Sequence, residues 1–380
     1  MTHAPLIILS AGGTGGHVFP AEALAAELLR RGYRLALATD RRGDVYGGVL
    51  DGLDTYRISA GSPAGGFANK VKGAVQLGLG FFTAQRLLLR LRPAAVIGFG
   101  GYPSVPTLMA AARLRIPTAI HEQNAVLGRA NRLLAPRVRA SALSHAEVRF
   151  LAAGERLRSI VTGNPVRPAV DALRDLPFSM PGLGDKLRLL VTGGSQGARV
   201  FARVLPPAIA ALPSAARCRL EITQQCRPED LEAARKAYDG TGVAVELAAF
   251  FKDLPARLGR CHLVIGRAGA STVAELTTSG RPAILVPYPH ATDDHQADNA
   301  RVLSRAGAGW LVPEPELTAA TLTTLLSGFL ADATPLANAA AAARQLGRPD
   351  AAARLADVMQ RLAPANGADR PPAPPQEKAA

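Results

Sequence analysis

The sequence predicts an α/β protein of two domains, each a parallel sheet wrapped by helices, and three observations carry that expectation. The run Leu6-Ile7-Ile8-Leu9 reads as a buried parallel strand that feeds the turn Gly12-Gly13-Thr14-Gly15-Gly16 and then a helix. The same device returns roughly 180 residues later, where Leu187 to Thr192 runs into Gly193-Gly194-Ser195-Gln196-Gly197-Ala198. Finally, 380 residues suit two domains of ordinary size, and 48% hydrophobic residues can fill both cores. A strand opening through glycines onto a helix N-terminus is an anion cradle, because bare N–H groups and the positive dipole end face one point.

In the first half, Pro20 is placed to open the helix, since its missing N–H falls among the unpaired donors of a first turn. Helical periodicity runs from Ala21 to Arg31 and stops at Gly32. Arg34 to Thr39 reads as a second strand ending at Asp40, and an acid there is what a dinucleotide site uses on a ribose. That keeps an NAD-dependent oxidoreductase among the readings, although Val18 stands where G-x-G-x-x-G needs its third glycine. Gly61 to Gly66 reads as a flexible connection. Lys70 to Arg92 has two readings. It is a helix with its apolar face in the core, or one whose Leu77, Leu79, Phe81 and Phe82 dip into an anionic bilayer beside Lys70, Lys72 and Arg86. Ala94 to Phe99 is another buried strand, running into Gly100-Gly101-Tyr102-Pro103-Ser104, where Tyr102 and Ser104 either bond a ligand or complete the turn. Thr118 to His121 ends in His121-Glu122-Gln123-Asn124, four polar groups at the C-terminal end of a parallel strand, where open α/β sheets bind ligands.

Ser159 to Thr162 leads into Gly163-Asn164-Pro165-Val166-Arg167-Pro168, a natural crossing between domains. The second half repeats the strand–loop–helix plan. Val245 to Phe250 is a strand followed by Phe251, and Leu263 to Ile265 opens into Gly266 to Gly269 and a helix that Ser271 or Thr272 can cap, with Glu275 about one turn in. Ala283 to Val286 is a last inner strand, running into Pro287 to Asn299. Leu317 to Leu362 reads as Ala-rich helices, and 364–380 as a disordered, proline-rich tail.

The formal charge of +14 has two readings, a chain that is simply Arg-rich or one with an anionic partner. Basic runs interleaved with aromatics are missing from the sequence, so phosphates and a membrane surface are favoured over nucleic acid. Cys218, Cys226 and Cys261 lack C-x-x-C spacing, which argues against a disulfide framework and a zinc site. With no signal-peptide core and no apolar run of about 18 residues, the expectation is a cytoplasmic or peripheral protein. No Asp-x-Asp occurs to hold a metal, Asp293-Asp294-His295 reads as a solvated loop, and backbone donors at the glycine loops can hold a phosphate instead. No obligatory metal and no cofactor are expected.

Six motifs in order carry a resemblance: Gly12 to Pro20, Gly98-Phe99-Gly100-Gly101-Tyr102, His121 to Asn124, Gly163-Asn164-Pro165-Val166-Arg167, Gly193 to Ala198, and Gly269 to Glu275. Over roughly residues 6–360 the chain resembles the MurG family, bacterial peptidoglycan glycosyltransferases that move N-acetylglucosamine from UDP-GlcNAc to lipid I, making lipid II. The resemblance implies a GT-B architecture of two Rossmann-like domains across a cleft: 1–164 for acceptor and membrane, 165–345 for the donor, and a last helix at about 346–362 packing back on the first. It implies that Ser195 and Gln196 reach the nucleotide diphosphate and the Phe251 backbone reads uracil. The helix from Ala270, with Ser271 and Thr272, would meet a phosphate, Glu275 the ribose, and Gln296 with His295 the sugar hydroxyls. Arg167 and Asn124 complete that site on closure. Thr14-Gly15-Gly16 and Gly100-Gly101-Tyr102 are expected to take the acceptor diphosphate. His17 is the first choice as the base that deprotonates the acceptor hydroxyl, with Glu122 as the alternative base or an orienting residue. Direct displacement with inversion is implied, at the cytoplasmic face of the cell membrane, among other cell-wall enzymes. Beside it stand a diacylglycerol glycosyltransferase, a UDP-sugar epimerase, the oxidoreductase above and a non-catalytic cell-wall scaffold.

Overall fold

Strand β1 (Leu6–Ser10) shows why its apolar run is unbroken: Ile7 and Leu9 face one core, Ile8 the other, and all three are fully buried. The computed structural model describes residues 4–12, 15–40, 48–61, 66–182, 184–194 and 197–364. β1 sits mid-sheet with β2 (Arg34–Thr39), β3 (Asp54–Arg57), β4 (Ala95–Gly98), β5 (Thr118–Glu122), β6 (Ala140–Leu143) and β7 (Ser159–Val161), in the order β3-β2-β1-β4-β5-β6-β7. The second sheet, β8 (Leu187–Thr192), β9 (Leu220–Gln225), β10 (Ala244–Ala248), β11 (Leu263–Gly266), β12 (Ala283–Leu285) and β13 (Gly309–Leu311), runs β10-β9-β8-β11-β12-β13. All these pairings are parallel, for example Ile7 opposite Ala95 and Leu263 opposite Leu189. This is the predicted class of two parallel α/β sheets. Strand order reverses between β1 and β4 and again between β8 and β11, so each sheet has a crevice at its glycine loops.

Several elements differ from the sequence reading. The first helix spans Gly15–Arg30, with Pro20 inside it rather than at its start. The missing N–H forfeits one bond, to the Gly16 carbonyl in the first turn, near the helix N-terminus. Strands β3, β6 and β13 carry too little periodic signal to stand out, β13 being three residues and β6 Ala-Ser-Ala-Leu, whereas β9 alternates over Leu220 to Thr223 and the sequence reading passed it over. No side chain caps helix Ala270–Ser279; Gly269 is its N-cap, and Ser271 and Thr272 lie inside the first turn.

Helix Phe67–Leu91 divides its residues by face. Ala84, Leu87 and Leu88 are buried, Leu77 and Phe81 pack partly against the core, and Val71, Val75, Leu79 and Phe82 face outward, the last two 60% and 61% exposed. Lys70, Lys72 and Arg86 are exposed on the same helix. Among the described residues no helix is long and apolar enough to cross a membrane.

Helix Ala351–Leu362 returns from the second sheet to the first. Its Leu355, Ala356, Val358 and Met359 join the core around Leu24 and Leu28. Arg31 Nη1 bonds Asp357 at 2.5 Å, and the Tyr33 hydroxyl donates to the Ala363 carbonyl at 3.0 Å.

Candidate active site

His17 lies in the first turn of helix Gly15–Arg30, just past the end of β1. Its ring rests against the loop after β4: a Cβ on Gly100 would come within 3.2 Å of the ring, a tight contact, and the φ of +91° at Gly100 favours glycine there. A hydrogen-bond chain sets the tautomer. His121 Nε2 donates to the Gly163 carbonyl at 3.1 Å, its Nδ1 faces the Gln123 amide at 3.1 Å, and that amide also donates to the Phe99 carbonyl at 2.9 Å. Gln123 therefore presents its oxygen to His17 Nδ1 at 3.2 Å, and the His17 lone pair is left on Nε2. Burial lowers the His17 pKa, with nearby Glu122 and the bonds to Gln123 and Phe99 opposing it. His121 is pushed by burial down to about 4.

Glu122 is nearly fully buried and fully occupied. Oε1 accepts from the Asn124 N–H at 3.1 Å and Nδ2 at 3.2 Å; Oε2 accepts from the Gly128 N–H and Asn131 Nδ2, both at 2.8 Å. These four donors fix both carboxyl oxygens of Glu122 to the loop after β5. Ser104 settles into the turn as well, donating to the Ser10 and Gly100 carbonyls at 3.0 and 2.8 Å. Tyr102 packs partly against the first core.

Across the cleft, Arg167 bonds Glu275 Oε1 through Nε at 3.0 Å and Nη2 at 2.7 Å, and its guanidinium lies 5.0 Å from the Phe19 ring centre. Burial raises the Glu275 pKa, and Arg167 opposes it. At the N-terminus of helix Ala270–Ser279 the Ser271 hydroxyl oxygen is buried with no partner among the described residues, beside the helix's free first-turn N–H groups. Phe251 is buried under the Arg257 guanidinium, 4.3 Å from the ring centre, while Phe250 beside it is 71% exposed. Gln296 accepts from the Tyr288 N–H at 3.0 Å and His295 Nδ1 lies 2.9 Å from the Thr292 carbonyl, with His295 near enough to His17 to oppose its charging. In the loop after β8, a Cβ on Gly193 would fall 2.1 Å from the Ala198 nitrogen. Thr14, Ser195 and Gln196 lie outside the described residues, as does 365–380.

The sequence reading passed over the residues that join the domains. Asn299 is fully buried; its Oδ1 accepts from the Ala125 N–H at 2.9 Å, and its Nδ2 donates to Asn124 Oδ1 and to the Ala268 carbonyl, both at 3.0 Å. Around it, Asp293 pairs with Arg129 at 3.2 Å and Arg132 at 2.6 Å, and Arg149 with Asp298 at 2.8 Å. Asp293 is thus an ion-pair acceptor for the other domain rather than a solvated loop acid, and the Arg129 and Arg132 bonds hold its pKa down. Its φ of +55°, with +57° at Asp294, bends the chain toward those arginines. The one sequence signal for Asn299 was a polar residue on the inward face of helix His295–Arg305.

Comparison with known proteins agrees with this geometry. Residues 7–143 match the glycosyltransferase family 28 N-terminal domain and 188–355 the glycosyltransferase family 28 C-terminal domain. The chain is 58% identical to the UDP-N-acetylglucosamine–N-acetylmuramyl-(pentapeptide) pyrophosphoryl-undecaprenol N-acetylglucosamine transferase of Rhodospirillum centenum, over 94% of each chain. It is 57% identical to the enzyme of the same name from Paramagnetospirillum magneticum, over 96% of this chain and 98% of that one. The crystal structure of Acinetobacter baumannii MurG superposes with a TM-score of 0.75 at 29% identity, covering 94% of this chain and 100% of that one. These matches rule out the NAD-dependent reading that Asp40 had kept open, and they give the two sheets the GT-B architecture. The chain belongs to the MurG family of N-acetylglucosamine transferases.

Proposed function

We propose that this chain transfers N-acetylglucosamine from UDP-GlcNAc to the 4-hydroxyl of the N-acetylmuramyl group of lipid I, giving lipid II and UDP. One observation carries the site assignment: a His17 imidazole with its lone pair on Nε2 shares a cleft with the Arg167–Glu275 pair and an uncapped helix N-terminus. The acceptor oxygen attacks the anomeric carbon as the bond to the diphosphate breaks on the opposite face, so the configuration inverts. His17 Nε2 takes the hydroxyl proton in that step. The first-turn N–H groups and Ser271 and Thr272 receive the growing charge on the diphosphate, with Arg167 Nη1, which is not used on Glu275, as a further donor. Ser195 and Gln196 complete the diphosphate contacts, Phe251 the uracil contact and Glu275 the ribose contact. His295 and Gln296 hold the sugar. Glu122 positions Asn124 rather than moving protons. Gly15, Gly16, Gly100, Gly101 and Tyr102, with Thr14, form the acceptor's diphosphate cradle.

The scheme needs no metal, so turnover should persist in EDTA. The lipid substrate places the enzyme at the cytoplasmic face of the membrane, and Val71, Val75, Leu79 and Phe82, flanked by Lys70, Lys72 and Arg86, are the surface we assign to that contact. The test is product formation from UDP-GlcNAc and a lipid I analogue in EDTA, with wild type beside His17→Ala and Glu275→Ala. The expected result is metal-independent transfer, turnover down about 10²–10⁴-fold in the first variant and donor affinity lost in the second. Tight UDP-GlcNAc binding without transfer to lipid I would keep the fold and reject the acceptor. Wild-type turnover by both variants would reject the site.

A further inference from the structure

Helix Ala270–Ser279 has a second working face. Successive residues turn by about 100°, so Ser271, Thr272 and Glu275 look toward the cleft, while Ala270, Val273, Ala274, Thr277 and Thr278 look away from it. The outward face lines a half-open cavity of about 480 Å³. Its other walls come from the loop after β6 in the first domain, from the C-terminal end of helix His295–Arg305, and from both chain crossings, at Gly163-Asn164 and Leu346 to Arg348. Cavities of this size at domain boundaries, apolar with a few polar groups, are the usual form of a small-molecule site.

The polar groups around it are unusually free. Arg305 and Arg348 line the cavity with no hydrogen bond or ion pair among the described residues, and Glu147 is the one acid that lines it. His145, also in the lining, has no hydrogen-bond partner among the described residues, and burial takes its pKa down to about 4, so it is neutral at pH 7 and the lining is net positive. Asn164 is 8% exposed and its Oδ1 has no partner among the described residues. The apolar floor is Val161, Val273, Ala274, Val302 and Leu346.

We propose that this cavity binds an amphipathic anion, with a carboxylate, sulfonate or phosphate head between Arg305 and Arg348 and a compact apolar body on the Val161, Val273, Ala274 and Val302 floor. The site is separate from the transfer cleft. Because both domains and both crossings form its walls, its shape follows the hinge angle, and a ligand fitting one angle favours that angle. The two helices that line it also carry Glu275 and Gln296, so occupancy and donor binding are linked, and the linkage is reciprocal. That second statement rests on the donor site proposed above; binding of the anion does not.

The probe is 8-anilinonaphthalene-1-sulfonate, titrated by fluorescence into the full-length protein. Wild type should show one saturable site, at least tenfold weaker when Arg305 and Arg348 are both changed to Ser, two exposed positions where folding is not at stake. Ala274→Phe should abolish it by filling the floor. Phe82→Ser, on the exposed face of helix Phe67–Leu91, should leave it unchanged, and the dye should bind in the presence of saturating UDP-GlcNAc with a shifted affinity. Unaltered binding in the Arg305→Ser, Arg348→Ser protein overturns the proposal, as does loss of binding with Phe82→Ser or strict competition with UDP-GlcNAc. If UDP-GlcNAc fails to bind at all, the donor site is wrong while the dye titration with the arginine variant still decides the cavity.

Discussion

At the residue scale, the proposed transfer turns on which nitrogen of His17 carries the proton. Gln123 decides it, because its amide is spent on Phe99 and His121 and only its oxygen is left for Nδ1. Gln123→Leu should therefore lower kcat by about tenfold or more with little change in donor affinity, while Gln123→Glu, which still accepts at Nδ1, should recover part of it. The pH profile has a defined sign. A histidine pKa lowered by burial leaves the basic form present below the ordinary value of about 6.5. Activity should hold as pH falls through 6.5 and drop on a limb below it, and Gln123→Glu should move that limb upward. A limb centred above 6.5 in wild type would contradict the assignment. His121 to Asn124 were legible in the sequence as a site because four polar groups follow an apolar strand. Their division of labour was not, since the partners of the Glu122 carboxylate and of the Gln123 amide are set only by folding.

At the element scale, the strand–glycine–helix units were readable because each combines an apolar run, a turn that only glycine fits and a helix. Gly193 shows the strength of that constraint, with a Cβ falling 2.1 Å from a backbone nitrogen. The weak elements were those stabilised from outside: β13 at three residues, and a first helix whose start depends on its loop rather than on Pro20. Helix Phe67–Leu91 buries one face in the core, with Leu77 and Phe81 partly packed there, and leaves Val71, Val75, Leu79 and Phe82 exposed on the other, the face we propose for the membrane. Changing Lys70, Lys72 and Arg86 to Glu should weaken binding to anionic vesicles at least tenfold at low salt and leave thermal stability nearly unchanged, since all three are exposed. Sedimentation with vesicles checks the first and a melting curve the second.

At the scale of the whole molecule, the domains meet through a buried amide ringed by ion pairs. Asn299 spends its side chain on the Asn124-Ala125 loop of one domain and the Ala268 loop of the other. Asn299→Ala removes a partner from all three groups and should raise the KM for UDP-GlcNAc and lower kcat together, the pattern of a closure defect. The Asp293 pairs are more exposed, and a double-mutant cycle of Asp293→Asn with Arg132→Gln should give a coupling of about 1 kcal/mol that shrinks with added salt. Neither contact was visible in the sequence, because each joins residues about 160 to 175 positions apart and neither follows a periodic pattern.

The return of helix Ala351–Leu362 to the first sheet also sets an order of events during synthesis. A ribosome that has finished the first seven strands has made a domain whose Leu24 and Leu28 face still lacks Leu355, Val358 and Met359. That face stays greasy until nearly the whole second domain has emerged, so the first domain to be made is the last to be sealed. A fragment of residues 1–164 alone should collect in aggregates, and one co-expressed with a separate 347–364 peptide should stay in solution.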